Sequence, residues 1–479
     1  MSANLYLTLS AAYADHRDRC CLRIPGGRDW SYADIDQLAG GLSAVLLGRA
    51  SAGDRVMVQV DKCPEAVALY LACLRAGLIL VPLNTAYTDS ELDYFRRDAE
   101  PALEIDNPGL AALCDEASEQ SPAPVARVTD ADTAAILYTS GTTGRSKGAM
   151  LSHGNLASNA TALHRLWGFV DGDVLLHALP IYHVHGLFVA LNTALLNAST
   201  VLFLDRFEIA AVLDQLPNAT VMMGVPTFYS RLLASSDFGP GHYRHMRLFI
   251  SGSAPLTEPT FHEFESRTGQ CILERYGMSE AGMITSNPLE GERLAGTVGY
   301  PLPGVEVRVC EESGNPLPAG EIGIVEARGP NIFAGYWRMP EKTSAEFRDD
   351  GFFITGDMGF LSADGRLTLV GREKDLIISG GLNVYPKEVE LCLDDIAGIR
   401  ESAVIGVPHA DFGEAVVAVC VPSADNLPGH DEIEAALSYR LARFKQPKQY
   451  IRIDDLPRNS MGKVQKNRLR EQFRELFQA

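Results

Sequence analysis

Tyr138-Thr139-Ser140-Gly141-Thr142-Thr143-Gly144-Arg145-Ser146-Lys147-Gly148 is the most telling stretch of this chain. The apolar run from Ala134 to Tyr138 enters it as a strand. Three glycines and five Ser/Thr hydroxyls then crowd around two cations. Glycine permits the positive φ that lets successive N–H groups converge on one anion, hydroxyls add donors or a metal ligand, and Arg145 and Lys147 add charge. Such a loop reads as a polyphosphate cradle. It is not a Walker A loop, which needs Gly directly before its lysine and Ser or Thr directly after; here Ser146 and Gly148 flank Lys147.

Upstream of the loop, strand-like and helix-like runs alternate. A helix is predicted over 32–47 with Gly48 as its stop, a strand over 55–60, a helix over 63–76 and a strand over 78–82. That is the rhythm of a doubly wound α/β sheet. The Pro- and Ala-containing stretch from Asp115 to Asp132 reads as a surface connection. Beyond the loop, Ser152 to His164 looks helical, and the alternation continues to about Tyr300. From Gly304 to Leu369, short β-rich runs broken by Gly, Pro and Asp predict a small barrel-like subdomain. A compact tail of about a hundred residues, a size suited to a second domain, starts near Asp375.

Composition sets the bounds. With 479 residues, 46% of them apolar, the chain buries a large core in at least two domains. A formal net charge of −19 with no clustered basic face excludes nucleic acid as a partner, so any anion site is local. Nine cysteines, an odd number without a CxxC pair, suit reduced thiols, and the N-terminal residues lack a basic-then-apolar signal, so a cytoplasmic protein is expected. Val174 to Leu204 is the most apolar region, but His177, His183, His185 and Asn192 interrupt it, which argues against a membrane span.

The loop resembles the phosphate loop of the AMP-forming acyl-CoA synthetase superfamily, to which luciferases and the adenylation domains of peptide synthetases also belong. Further segments match motifs of that superfamily in its order: Glu274-Arg275-Tyr276-Gly277-Met278-Ser279-Glu280, Thr355-Gly356-Asp357, Gly371-Arg372, and Pro457-Arg458-Asn459-Ser460-Met461-Gly462-Lys463. The resemblance implies an α/β fold: a large N-terminal domain of doubly wound subdomains with the small barrel-like one, residues 1–373, and a small mobile α+β C-terminal lid, residues 374–479. Lys374 would be the hinge about which the lid rotates, so that one site serves two half-reactions in turn. ATP and CoA would be co-substrates and Mg²⁺ the metal.

Residue roles follow from the same resemblance. Thr139, Ser140, Gly141, Thr142, Thr143, Gly144 and Lys147 would cradle the pyrophosphate of ATP. Glu280 would hold Mg²⁺, with the Thr139 hydroxyl beside it; one or two carboxylates suffice for a metal bridging phosphate oxygens. Ser253, Ala254, Glu274, Arg275, Tyr276 and Gly277 would enclose the adenine, with Met278 and Ser279 following. Ser279 stands where the superfamily more often has Thr, which keeps the hydroxyl. Asp357 would accept both ribose hydroxyls and Arg372 would support the ribose and phosphate side. Lys463 would reach the α-phosphate and the carboxylate oxygen, a task suited to a mobile point charge on a long stem. Gly380 and Gly381 would line the path of the CoA thiol.

For the acid, His183 in Pro180-Ile181-Tyr182-His183-Val184-His185-Gly186 would donate to the acyl oxygen, and His185 reads as a packed residue. Arg293, between Ser286 and Gly299, would pair bidentately with a second carboxylate in an acyl pocket completed by Ser253 and Met278. With Met223-Gly224-Val225-Pro226-Thr227 and Asn383-Val384-Tyr385-Pro386-Lys387-Glu388, these segments are similar to the malonate-activating branch of the superfamily. The implied reaction converts malonate, ATP and CoA to malonyl-CoA, AMP and pyrophosphate, with methylmalonate as a second substrate. Two other readings stay open: a ligase for another short-chain carboxylic acid, and an adenylating enzyme that loads a carrier protein. A catalytically silent homologue would have lost Lys463, Glu280 or Asp357, and all three stand. Acetylation would remove the Lys463 charge, so a lysine acetyltransferase and deacetylase are chemically consistent partners.

Overall fold

The computed structural model describes residues 3–139, 146–380, 382–409, 411–423, 427–459 and 462–477. Two α/β sheets build most of the N-terminal domain. The first has six strands in the order Leu103–Ile105, Arg55–Val58, Ile79–Pro82, β1 (Thr133–Thr139), β2 (Lys147–Ser152) and Gly335–Tyr336. β1 and β2 pair antiparallel with Thr139 opposite Lys147. The second sheet has nine strands: Trp30–Ser31, Cys20–Arg23, Thr200–Phe203, Val174–His177, Val221–Gly224, Leu248–Ser251, β3 (Leu273–Met278), β4 (Gly282–Ser286) and Tyr300–Pro301. From Cys20–Arg23 to β3 every pairing is parallel. The inner strands Thr200–Phe203, Val174–His177, Val221–Gly224 and Leu248–Ser251 are mostly buried and mostly apolar, as central parallel strands are.

The helices form where local chemistry places them. Tyr32–Leu47 starts on a capping box of Ser31 and Asp34 and stops at Gly48. Pro64–Ala76 opens with Pro in its first turn and ends on Gly77 at φ 69°, a left-handed cap that glycine adopts without strain. The predicted connection before the loop holds from Ser118 onward, the helix Asn107–Ala117 having taken the first residues.

The β-rich stretch differs from the sequence expectation. Its strands Glu306–Cys310, Gly323–Arg328, β5 (Phe353–Leu361) and β6 (Leu367–Arg372) form an antiparallel sheet that runs from edge to edge without closing into a barrel among the described residues. Four strands are too few to enclose an interior, and this sheet buries its apolar side against the main core instead.

A single 3₁₀ turn, Glu373–Asp375, joins β6 to the C-terminal domain, with Lys374 exposed within it. The C-terminal sheet runs Leu382–Val384, Ile377–Ser379, Gly413–Pro422 and Ile399–His409, with Gln449–Arg452 added parallel to Gly413–Pro422. Alternation along its strands sends Val404 and Val416 into one core and Ala403 and Val417 into another, both separate from that of the N-terminal domain. All nine cysteines are free thiols. Among the described residues no helix is long and apolar enough to cross a membrane.

Candidate active site

β3 organises the site through the two-residue period of a strand, which turns successive side chains to opposite faces. Tyr276 faces one way and donates its hydroxyl to Asp357 Oδ2 at 2.5 Å. Arg275 faces the other way and lies against Gly252, where an added Cβ would come within 2.5 Å of the guanidinium carbon. Gly277 follows a bulge in the β3–β4 pairing, and a Cβ there would lie 2.0 Å from the Gly282 carbonyl oxygen, so only glycine allows the two strands to close.

On the Tyr276 side stands a cluster of polar groups around Asp357. Asp357, buried on β5, takes Arg372 Nε on Oδ1 at 2.9 Å and Tyr276 on Oδ2. Each carboxylate oxygen keeps a further lone pair for a ligand hydroxyl. Lys463 comes to this carboxylate from the C-terminal domain. Its loop is closed by Asn459 N donating to Lys463 O at 2.9 Å and Lys463 N donating to Asn459 Oδ1 at 3.0 Å. Gly462, beside it, packs toward Thr227, from whose hydroxyl an added Cβ would be 3.1 Å away. Burial, then the Arg372 charge, pushes the Lys463 ammonium down to about 8, against the pull of Asp357. Its Nζ has no hydrogen-bond or ion-pair partner among the described residues. Ser253, Ala254, Gly277, Met278 and Ser279 are half-exposed along this crevice.

On the Arg275 side stands a cation with open donors. Arg275 is buried, and its Nε and Nη2 have no hydrogen-bond partner among the described residues. Burial pushes even this guanidinium down, to about 9. His183 is the neighbour that feels both Arg275 and Lys463; burial and these two cations push it down to about 4, so the ring is neutral at pH 7. His183 Nδ1 accepts from the His185 N–H at 3.3 Å, which puts the ring proton on Nε2 as a free donor. His185 is packed as expected, opening a π-helical segment over His185–Leu191, a form frequent at functional sites. Its Nδ1 lies 3.2 Å from Ser253 Oγ. Ser253 is held at φ 71°, in the left-handed region that costs a non-glycine residue energy and that concentrates at binding sites.

Lys147, at the start of β2, has its Nζ 3.1 Å from Glu346 Oε1 and 4.7 Å from the Tyr336 ring centroid. The Tyr336 hydroxyl lies 2.6 Å from Glu346 Oε2 and 3.1 Å from Glu280 Oε1. Glu280 is buried and has no ion-pair partner among the described residues, and burial raises its carboxyl. A buried carboxylate without an ion-pair partner, linked to Glu346 through the Tyr336 hydroxyl, is a donor that fits a divalent cation.

Several expectations change or stay open. Arg293 does not join this cluster. Its Nη1 donates to Cys271 O at 2.6 Å, Nη2 to Leu289 O at 2.8 Å and Nε to Pro288 O at 3.1 Å, so it clamps three carbonyls of its own surroundings. Glu274 is buried with Oε1 accepting from Leu256 N at 3.1 Å, which makes it a support for the Ser253-Ala254 segment. Gly380 is exposed and donates to Phe412 O at 2.9 Å. Ser140, Gly141, Thr142, Thr143, Gly144, Arg145 and Gly381 lie outside the described residues. Glu346 and Tyr336 escaped the sequence reading; the only signal was a carboxylate four residues after Lys342 in an ordinary polar run.

Residues 9–337 match the AMP-binding enzyme family and residues 388–463 match the AMP-binding enzyme C-terminal domain. The chain is 33% identical over 477 residues to the malonate–CoA ligase of Arabidopsis thaliana, covering 88% of this chain and 78% of that one. Over the full length of both chains it is 50% identical to MatB from Rhodopseudomonas palustris, with a TM-score of 0.95 to the ATP-bound crystal structure and 0.85 to the apo one.

Proposed function

This chain belongs to the AMP-binding enzyme family, and from that membership we propose that it is an AMP-forming malonate–CoA ligase, with methylmalonate as a second substrate. The observation that carries the choice of acid is Arg275: a buried guanidinium with two unpaired nitrogens, close to a neutral His183 and on the opposite side of β3 from the nucleotide groups. A buried cation without a partner is costly unless a ligand completes it. The second carboxylate of malonate is such a ligand, and the fork of an arginine takes it bidentately. Arg275 therefore replaces Arg293 as the residue that reads the acid. Ligases for monocarboxylates have no charge to place there, and nothing in the site favours the carrier-loading reading.

In the first half-reaction a malonate oxygen attacks the α-phosphorus of ATP, the new O–P bond forms, and pyrophosphate leaves as the bond to the β-phosphate breaks. Lys463 neutralises charge on the α-phosphate and the attacking carboxylate, His183 Nε2 donates to the carboxylate, and Asp357 fixes the ribose. Lys147, with Thr139 and the loop from Ser140 to Gly144, holds the departing pyrophosphate. Mg²⁺, when bound by Glu280 and the Thr139 hydroxyl, adds charge neutralisation at the phosphates. In the second half-reaction the CoA thiolate attacks the carbonyl of malonyl-adenylate, the C–S bond forms, and AMP leaves. The lid, residues 374–479, turns at Lys374 between the two steps and brings Gly380 and Gly381 to the thiol's path. The greater likeness to the ATP-bound relative, and Lys463 beside Asp357, both support an adenylating arrangement of the lid here.

Nine free thiols suit a reducing compartment, and we assign the protein to the cytoplasm. Acetylation of Lys463 would remove the charge that adenylation needs, so a lysine acetyltransferase and deacetylase are chemically consistent partners. The test of the whole reading is a panel of carboxylic acids supplied with ATP, Mg²⁺ and CoA. Malonate should give AMP and malonyl-CoA in equal amounts and at the highest kcat/KM; a monocarboxylate or a larger diacid leading the panel would overturn it.

A further inference from the structure

Lys147 is the pyrophosphate cation in the proposed function, yet a carboxylate of its own chain already holds it. Its Nζ sits 3.1 Å from Glu346 Oε1, a pair whose side chains are only 11% and 19% exposed, and it lies over the ring of Tyr336. Glu346 is drawn into this position from two further sides, by the Tyr336 hydroxyl at 2.6 Å and by Lys342 Nζ at 2.8 Å. Tyr336 is itself fixed: its strand Gly335–Tyr336 pairs with β2, Tyr336 opposite Ala149, two residues from Lys147. A carboxylate 199 residues away in sequence thus occupies the lysine that begins the strand leaving the phosphate loop.

From this arrangement we propose that Glu346 is an internal stand-in for phosphate: it holds Lys147 when the site is empty, yields it to the β- and γ-phosphates of ATP, and reclaims it as pyrophosphate departs. The inference rests on the proposed role of Lys147 and adds a competitor to it. A carboxylate and a phosphate oxygen compete for the same ammonium, because pairing with either neutralises the charge that attracts the other. With Lys147 engaged by phosphate, Glu346 is left beside a polyanion, a like-charge contact that speeds release. The residue therefore weakens pyrophosphate binding without touching the adenosine half of the site.

Titration with magnesium pyrophosphate, and separately with AMP, in the wild-type protein, Glu346→Gln, Lys147→Ala and the double variant tests this. Glu346→Gln should tighten pyrophosphate about three- to thirtyfold, the scale of a partly buried ion pair, and leave AMP affinity within about twofold. Lys147→Ala should weaken pyrophosphate. In the double variant the gain from Glu346→Gln should vanish, since the competed cation is gone. Weaker pyrophosphate binding by Glu346→Gln would mark Glu346 as a metal ligand or a structural support and overturn the proposal. So would an equal gain with and without Lys147, which would reduce the effect to long-range charge. Unchanged pyrophosphate binding by Lys147→Ala would instead overturn the assignment of Lys147 itself. Glu346→Asp, which keeps the charge but withdraws the carboxylate, should fall between wild type and Glu346→Gln, and matching thermal melts guard against misfolding.

Discussion

Arg275 and Tyr276 are adjacent on β3, yet the Tyr276 hydroxyl meets Asp357 at 2.5 Å while Arg275 packs against Gly252 with two unpaired nitrogens. In the proposed function this strand divides a nucleotide side from an acid side, and the division follows from the alternation of side chains along an extended backbone. The two neighbours should therefore report on different substrates.

Tyr276→Phe removes one donor from a buried carboxylate that must also accept the ribose. The loss should be about 1–3 kcal/mol. It should appear as a higher KM for ATP, with the KM for malonate unchanged. Initial rates over both substrates check this; a rise confined to malonate would place Tyr276 on the wrong side of β3.

Lys463 carries a pH signature. Its ammonium exists below about 8 and is lost above it. Adenylation kcat/KM should hold at pH 7 and fall roughly tenfold per unit beyond that value. Bound phosphates favour the ammonium, so the limb for kcat should lie at higher pH than the limb for kcat/KM. Lys463→Ala should lose about 10²–10³ in adenylation, the scale of one lost donor at a developing charge, while thioester formation from supplied malonyl-adenylate survives. Equal damage to both half-reactions would remove Lys463 from the role given to it.

Lys374→Pro tests the hinge. Lys374 lies within the 3₁₀ turn Glu373–Asp375, and proline there fixes its φ at about −65° and restricts Glu373 before it, so the backbone change a hinge needs is blocked. Pyrophosphate release should persist and CoA transfer should stall. Parental turnover in both steps would move the hinge elsewhere.

Arg293→Ala should cost stability without changing which acid is used. Three carbonyl oxygens lose a charged donor, and leaving such acceptors bare costs about 1–3 kcal/mol. Urea unfolding should show a lower midpoint while the ratio of malonate to butyrate activity stays at the wild-type value.

Which residues gather was legible in the motifs: Lys463, Asp357, Arg372, Glu280 and His183 are far apart in sequence and the fold brings them together from both domains, while their roles stay as proposed above. The direction of Arg275 was not legible. Its motif places it with the nucleotide, and its packing against Gly252, seen only in the fold, is what suggests the acid role proposed above. Arg293 misled for the opposite reason: an arginine in a loop looks the same in sequence whether it meets a substrate or three carbonyls of its own chain. Glu346 was silent because its partner Lys147 is 199 residues away. The short β runs after Gly304 marked strands but not their closure, since turn residues set hairpins and not the number of strands a sheet collects.

The most direct measurement is kcat/KM for malonate and for butyrate in the wild-type enzyme and in Arg275→Met, with Arg293→Ala as the companion. Stranding the second carboxylate in a buried pocket should cost about 3–5 kcal/mol, which is roughly a hundred- to several-thousand-fold for malonate. Butyrate, with no second charge, should be spared or improved, and Arg293→Ala should leave the ratio untouched. A parallel fall for both acids in Arg275→Met, or a loss of malonate preference in Arg293→Ala alone, would contradict the account.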